Sequence, residues 1–445
     1  MALRSFVVWF SMGSLVACGG GGSTEVGARD GGVRADGPQA DAEVVDADTS
    51  TLHDVALTAR VTAVQPMTGI ALWEENDVDV KTEPGVVQLE YAYVPPGSIA
   101  VDDGVYVWDA FDAFLDRIAG RGHQAIVRFY DTYPGAPTAV PEWIKALPDY
   151  RETSGQSEGQ PTRFPDWSSE VLQQFYLDFY AAFAARYDAD PRIVFLQVGF
   201  GLWGEYHIYD GPNELGRQFP SKAYQQTFLA HLDDVLPTLA WSVSIDAGSD
   251  DYGPFVDTPA LIDLGFGLFD DSFMIETHAG YNAEMWTFFD HTTRVLRAPA
   301  GGELSYASDF DQQHALDVDG IHGRTYEDLS ARYGISYMVG NDQPDHQSAE
   351  RIRAAGLANG YRFRVTRFAT NATRSEVAVQ NTGIAPIYYD AFVAIDGVRS
   401  TTSLRGLAPG ATVTCDVPRG GDGTTLTIDS DRLVPGQVIG FDADL

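Results

Sequence analysis

Residues 193–209 read IVFLQVGFGLWGEYHIY. Ile193-Val194-Phe195-Leu196 is an unbroken apolar run; polarity returns at Gln197, and Gly199, Gly201 and Gly204 close the stretch. Such a run, β-branched and aromatic and stopped by glycines, predicts a strand buried on both faces, as in a parallel sheet. Similar runs occur at 69–73, 86–93, 124–130, 241–245, 298–306 and 335–339, with one more at either 265–269 or 273–277. Amphipathic segments separate them, at 107–119, 168–187, 222–236, 283–296, 325–333 and 348–357. Phe175, Phe179 and Phe183, four residues apart, form a core stripe along one of these helices. Eight strands alternating with helices predict an α/β fold, a (β/α)8 TIM barrel over residues 56–358. No GxGxxG or GxxxxGK[ST] run follows the first strand, which speaks against nucleotide binding.

After Asn359 the pattern changes to short alternating runs at 362–368, 375–381, 388–395, 412–417 and 426–428. Turn signals such as Asn381-Thr382-Gly383, Asp396-Gly397 and Pro409-Gly410 separate them. This predicts a small C-terminal β-sandwich, residues 359–445, which either binds glycan or packs against the barrel.

The N-terminus places Arg4 before the apolar residues 6–10 and Leu15-Val16-Ala17-Cys18. A basic start, a short apolar core and small residues before a cut site predict a signal peptide over 1–17. Leu-Val-Ala-Cys resembles the bacterial lipobox, which implies lipidation of Cys18 and a membrane contact through that anchor alone. With Gly19 rather than Asp after the cysteine, the expected location is the outer membrane or cell surface. Residues 18–55, rich in Gly, Ala and Asp, predict a disordered tether. The net charge of −34 argues against nucleic acid, and against a polyanionic substrate unless a local basic patch overrides the field.

Two acids stand out against that background. Glu205 follows the fourth strand and Glu303 lies at the end of the seventh, in Gly301-Gly302-Glu303. The C-terminal ends of barrel strands carry the chemistry of this fold. Two carboxyl groups across the mouth are what glycoside hydrolysis needs: one gives a proton to the leaving oxygen, and the other attacks the anomeric carbon or activates water. Trp203, Tyr206, Trp73 and Tyr93 would supply aromatic faces for sugar rings.

The run QVGFGLWGEYH, with RFYDTYPG upstream and GGE, ISYMVGN and GYRF downstream, resembles a family of exported bacterial barrel proteins catalogued as a domain of unknown function. It is similar in turn to the clan-A glycoside hydrolases. The resemblance spans residues 70–395. It implies Glu205 as acid/base and Glu303 as nucleophile of a retaining glycosidase, with Arg128, Asp131, His207 and Asn341 lining the cleft. Many clan-A enzymes carry Asn before the fourth-strand Glu, where this chain has Gly204. That departure leaves a non-catalytic glycan-binding lipoprotein, a polysaccharide lyase on the same barrel and a structural envelope protein as alternatives.

The remaining polar residues have two readings each. Arg128 sits inside the third strand, where it pairs with an acid or contacts substrate; Asp131 accepts from a sugar or from its own turn. His207 orients Glu205, binds substrate or is structural. Asp270-Asp271 faces the cleft or begins a turn. His314, Asp317, Asp319 and His322 lack the spacing of a metal frame, so neither metal nor cofactor is expected. No GxSxG, paired Cys/His or HExxH pattern occurs. The expected partner is a carbohydrate. A Glu205–Glu303 separation near 5 Å in an open cleft is the expected mark of retention, and about 6.5–9.5 Å that of inversion. If the two point into different environments, or if a salt bridge buries either one, the catalytic pair is lost and the binding-protein reading takes its place.

Overall fold

The computed structural model describes residues 51–445. The expected signal peptide, Cys18 and nearly all of the tether lie outside them. Eight parallel strands close into a barrel: β1 Gly69–Trp73, β2 Leu89–Val94, β3 Gln124–Phe129, β4 Ile193–Val198, β5 Trp241–Ser244, β6 Gly267–Phe273, β7 Ala300–Leu304 and β8 Tyr337–Val339. Each pairs with the next, and β8 returns to β1. Helices Asp109–Gly120, Glu170–Tyr187, Lys222–Val235, Ala279–Phe288, Tyr326–Tyr333 and Ala349–Leu357 lie among the connections. Ser169, Ser221, Thr325 and Ser348 cap four of them, each side chain accepting a first-turn backbone N–H.

Side-chain alternation sorts each strand into two layers. On β3, Ala125, Val127 and Phe129 face the helices, whereas Ile126 joins the barrel interior. Arg128 is on that inner side, bonded to Gln197, its register partner on the adjacent β4. The sixth strand spans the middle of the two expected windows. Of the two readings of Asp270-Asp271, a turn or a cleft-facing pair, the structure places both acids in the strand, where each finds partners. Asp270 points outward to Asn282 and Trp286, and Asp271 inward to Arg128. The helix expected over 283–296 is divided into Ala279–Phe288 and His291–Arg294, with Asp290 between them at φ 49°.

The C-terminal strands are β9 Phe363–Thr370, β10 Ser375–Asn381, β11 Phe392–Ile395, β12 Val398–Ser403, β13 Thr412–Val417, β14 Leu426–Asp429 and β15 Phe441–Asp444. They form two sheets, β13-β10-β9-β15 and β12-β11-β14. The first also takes in His53–Asp54 and Thr58–Ala59 from the segment that precedes the barrel.

This module closes the barrel end opposite the catalytic-type rim. Tyr389 Oη donates to the Val194 carbonyl and accepts the Ala240 N–H, at the starts of β4 and β5. Tyr361 donates to the Pro66 carbonyl, and Arg432 to the carbonyls of Asp188 and Asp190. One hydrophobic cluster runs from Ile126, Phe195 and Tyr337 inside the barrel to Phe363, Val379 and Ile395 in the sheets. No helix among the described residues is long and apolar enough to cross a membrane.

Candidate active site

The site is built around Arg128. Its guanidinium lies over the rings of Phe269, Tyr93 and Tyr91, with centroids 4.4, 5.3 and 5.6 Å away. Nε donates to Gln197 Oε1 at 2.7 Å, and Gln197 is fixed in turn by the hydroxyls of Tyr91 and Tyr337. The two remaining nitrogens face the barrel mouth. Nη1 meets Glu205 at 2.9 Å and Nη2 meets Asp271 at 2.7 Å. A fully buried arginine must be matched by acids, and these two match it.

Glu303 completes the group. One carboxylate oxygen from each of Glu205, Asp271 and Glu303 lies within 4.8 Å of the others. Three acids therefore share one guanidinium. Burial pushes the Glu303 carboxyl up to about 8, opposed by Arg128 and reinforced by Asp271. Burial and the charge of Asp271 likewise hold Glu205 above the usual carboxylate range. Glu303 Oε1 is buried and has no hydrogen-bond partner. Both glutamates are thus pushed towards the neutral form, Glu205 against the pull of its ion pair and Glu303 without an ion pair among the described residues. Three oxygens at this spacing can also hold a hard cation, but the guanidinium already occupies the position between two of them.

Glu205 does not end β4. The strand stops at Val198, and Glu205 hangs from a loop that doubles back on itself. Leu202 N–H donates to the His207 carbonyl, Tyr206 N–H to that of Phe200, and Trp203 N–H to that of Thr132. Gly201 and Gly204 take positive φ, as do the non-glycine residues Trp203 (55°) and Tyr206 (68°). Left-handed backbone at two bulky residues costs about 1–2 kcal/mol each and persists only where packing holds it.

That packing accounts for two residues that the structure does not bring to the carboxylates. The Tyr206 ring is fully buried between Phe200 and Phe219, an anchor for the loop and not a sugar platform. Asp131 is buried outside the barrel wall, where Oδ2 accepts the Gly201 N–H at 3.3 Å. Asn341 is likewise structural: Oδ1 accepts from the Trp73 N–H and from Asn76, which fixes the end of β1.

Trp203 and His207 do reach the site. Trp203 stacks on Tyr209 (6.3 Å, 25° between planes) and meets Tyr133 edge-on. Tyr93, Tyr130 and Tyr133 form edge contacts with one another, and Trp73 packs against Tyr93 and Tyr306, so the mouth is aromatic. His207 Nδ1 pairs with Asp246 at 2.7 Å, and Nε2 faces Glu205 at 3.8 Å with no hydrogen bond of its own.

Sequence reasoning overlooked Gln197 as a positioning group and Asp246 altogether. Gln197 carried a signal, a lone polar residue at the end of an apolar strand. Asp246 carried none, because its pairing with His207 is made across two connections. His314 pairs with Asp317, and His322 with Asp311 and Glu276, so these residues form separate pairs and not one cluster.

No family model matches the chain and no curated protein matches its sequence. Solved structures similar to it include a cold-adapted β-galactosidase of Rahnella sp. R3, at 12% identity and TM-score 0.38, covering 68% of this chain and 57% of that one. An α-galactosidase of Geobacillus stearothermophilus matches at 11% and 0.34, covering 83% and 56%. A glucosidase of Croceicoccus marinus matches at 9% and 0.34, covering 84% and 95%. The chain spans little more than half the length of the first two. At such low identity and TM-score these likenesses carry no assignment of activity. The barrel and its mouth define the class: a (β/α)8 protein with a buried carboxylate cluster at its C-terminal rim.

Proposed function

We propose that the protein is a glycoside hydrolase that acts on an extracellular poly- or oligosaccharide with retention of configuration, tethered to the cell envelope through Cys18. The observation that carries this reading is the spacing of Glu205 and Glu303, whose nearest oxygens lie within 4.8 Å beneath an aromatic rim. Retaining enzymes hold their two carboxyl groups about 5–5.5 Å apart.

The ion pair bears on the roles. A nucleophile must be ionised, and the Arg128 bond at 2.9 Å favours the charged form of Glu205 against the burial that raises its carboxyl. An acid must hold a proton, and Glu303 holds one up to about 8. These observations favour Glu205 as nucleophile and Glu303 as acid/base, the reverse of the roles implied by the clan-A resemblance. Glu303 would protonate the leaving oxygen while Glu205 attacks the anomeric carbon; Glu303 would then take the proton of the incoming water.

The test uses a panel of nitrophenyl glycosides. Glu303→Gln lowers kcat on natural linkages by about 10²–10⁴-fold and leaves the fold intact. Azide added to Glu303→Ala gives a glycosyl azide of retained configuration, and added to Glu205→Ala one of inverted configuration. The opposite pattern restores the clan-A roles, a fully active Glu303→Gln protein removes the role given to Glu303, and no turnover of any glycoside by the wild-type protein removes the hydrolase reading. Replacement of Cys18 by Ser abolishes labelling by radioactive palmitate.

A second reading, a non-catalytic glycan-binding lipoprotein, is favoured by one observation. Both glutamates are nearly enclosed, 9% and 4% exposed, and Glu205 is held in a buried salt bridge. It predicts saturable binding with no turnover of any glycoside, and binding that survives Glu303→Gln.

A further inference from the structure

The loop after β3 and the hairpin Thr153–Ser157/Gln160–Phe164 line an open cleft of about 640 Å3. Lys145, Arg151 and Arg163 line it, with Glu152, Tyr150 and Pro161. Three cations and one anion in one cleft are out of character for a chain with 63 acids and 29 bases.

The charges are also available. Arg151 donates to the carbonyls of Tyr150 and Pro148, and Arg163 to Ser154 Oγ, so neither guanidinium meets a carboxylate among the described residues. Elsewhere Arg121 and Arg192 each bridge more than one acid. Lys145 donates to the Thr138 carbonyl and, among the described acids, pairs with Glu142, whose side chain is 89% exposed and releases it at little cost. Glu152, the one acid in the lining, is taken up by the Thr138 hydroxyl.

The segments that line the cleft also reach the aromatic rim. Tyr133 touches both Tyr93 and Trp203 there, and Gly135, two residues on, lines the cleft. At the hairpin tip, Glu158 accepts from the hydroxyl of Tyr209, the residue stacked on Trp203.

We infer that this cleft is a subsite for an anionic unit of the glycan, one bearing a carboxylate or a sulfate; the inference rests on the glycan-directed reading of the neighbouring site. Guanidinium groups fork onto planar carboxylates and onto sulfates, and the exposed Pro161 ring suits the apolar face of a sugar. Because the whole chain repels polyanions at long range, the cleft selects by contact and its affinity falls as salt rises.

The experiment is calorimetric titration of Glu303→Gln, with and without Arg151→Ala/Arg163→Ala, against three hexasaccharides: galacturonate, sulfated galactan and neutral galactan. Both arginines are exposed, so the double variant folds. The expected result is binding of at least one anionic hexamer, weakened tenfold or more by the double substitution and by 0.5 M salt, with the neutral hexamer unaffected. Which anionic hexamer binds separates carboxylate from sulfate. Unchanged affinity in the double variant, preference for the neutral hexamer, or no anionic binding overturns the subsite. Turnover of a neutral aryl glycoside with no anionic binding leaves the hydrolase standing without this subsite; arginine-dependent anionic binding without turnover leaves the subsite and removes the hydrolase.

Discussion

At the scale of the residue, the site shows how few side chains touch the chemistry and how many hold it. Asp131 and Tyr206 lie beside candidate catalytic residues in sequence, and both turn away to brace the Glu205 loop from behind. Asp131 also makes the molecule sensitive to pH. Burial raises its carboxyl to about 7, and the same cause raises Asp270 to about 7 and Glu303 to about 8. In each case the folded state keeps a proton that the unfolded chain loses near pH 4 to 4.5. The stability they contribute is therefore complete below that pH and is lost as pH rises through 7 to 8. Thermal unfolding should show a midpoint that falls between pH 5 and pH 8. Asp131→Asn keeps an acceptor for the Gly201 N–H and removes the titration, so its midpoint should fall less over the same range; an identical slope would show that Asp131 is not protonated in the native state. Residue chemistry was legible in the sequence where it follows from strand ends, as for Glu303 and Arg128. It was illegible where a loop reverses direction, because nothing in WGEYH says which of Trp203, Glu205 and Tyr206 points inward.

At the scale of the element, the strands and main helices were legible because hydrophobic period and glycine stops are local properties. The sixth strand was the exception, since its two acids are satisfied by Asn282, Trp286 and Arg128, which are remote in sequence. The loop from Gly199 to His207 has the tightest steric tolerance near the site. A Cβ at Gly199 would stand 2.0 Å from the Gly204 carbonyl oxygen, and one at Gly201 would stand 2.3 Å from that of His207. Neither contact is with a side chain that can move aside. Gly199→Ala should therefore destabilise the protein by about 1–3 kcal/mol in urea unfolding and displace Glu205, so that activity is lost while the β-sheet signal in circular dichroism is kept. Full activity in Gly199→Ala would mean that the loop has another working conformation.

At the scale of the whole molecule, the C-terminal sheets belong to the barrel's stability. They lie at the end opposite the carboxylates, and their core is continuous with the barrel interior through Ile126, Phe195 and Tyr337. The sequence left glycan binding and packing open for this module, because alternating strands look the same in both; contact with the barrel floor shows the packing. Tyr389 is the clearest single link, its hydroxyl bonded to the backbone of both β4 and the residue before β5. Tyr389→Phe deletes both bonds and leaves a buried carbonyl and N–H without that partner, a loss of about 1–3 kcal/mol. A chain ending at residue 358 would expose that entire apolar floor and should be recovered only in the insoluble fraction. Co-expression of the two pieces should restore soluble protein if the shared core is what holds the barrel, whereas a soluble, active barrel from residues 56–358 alone would show that the sheets serve something other than its stability.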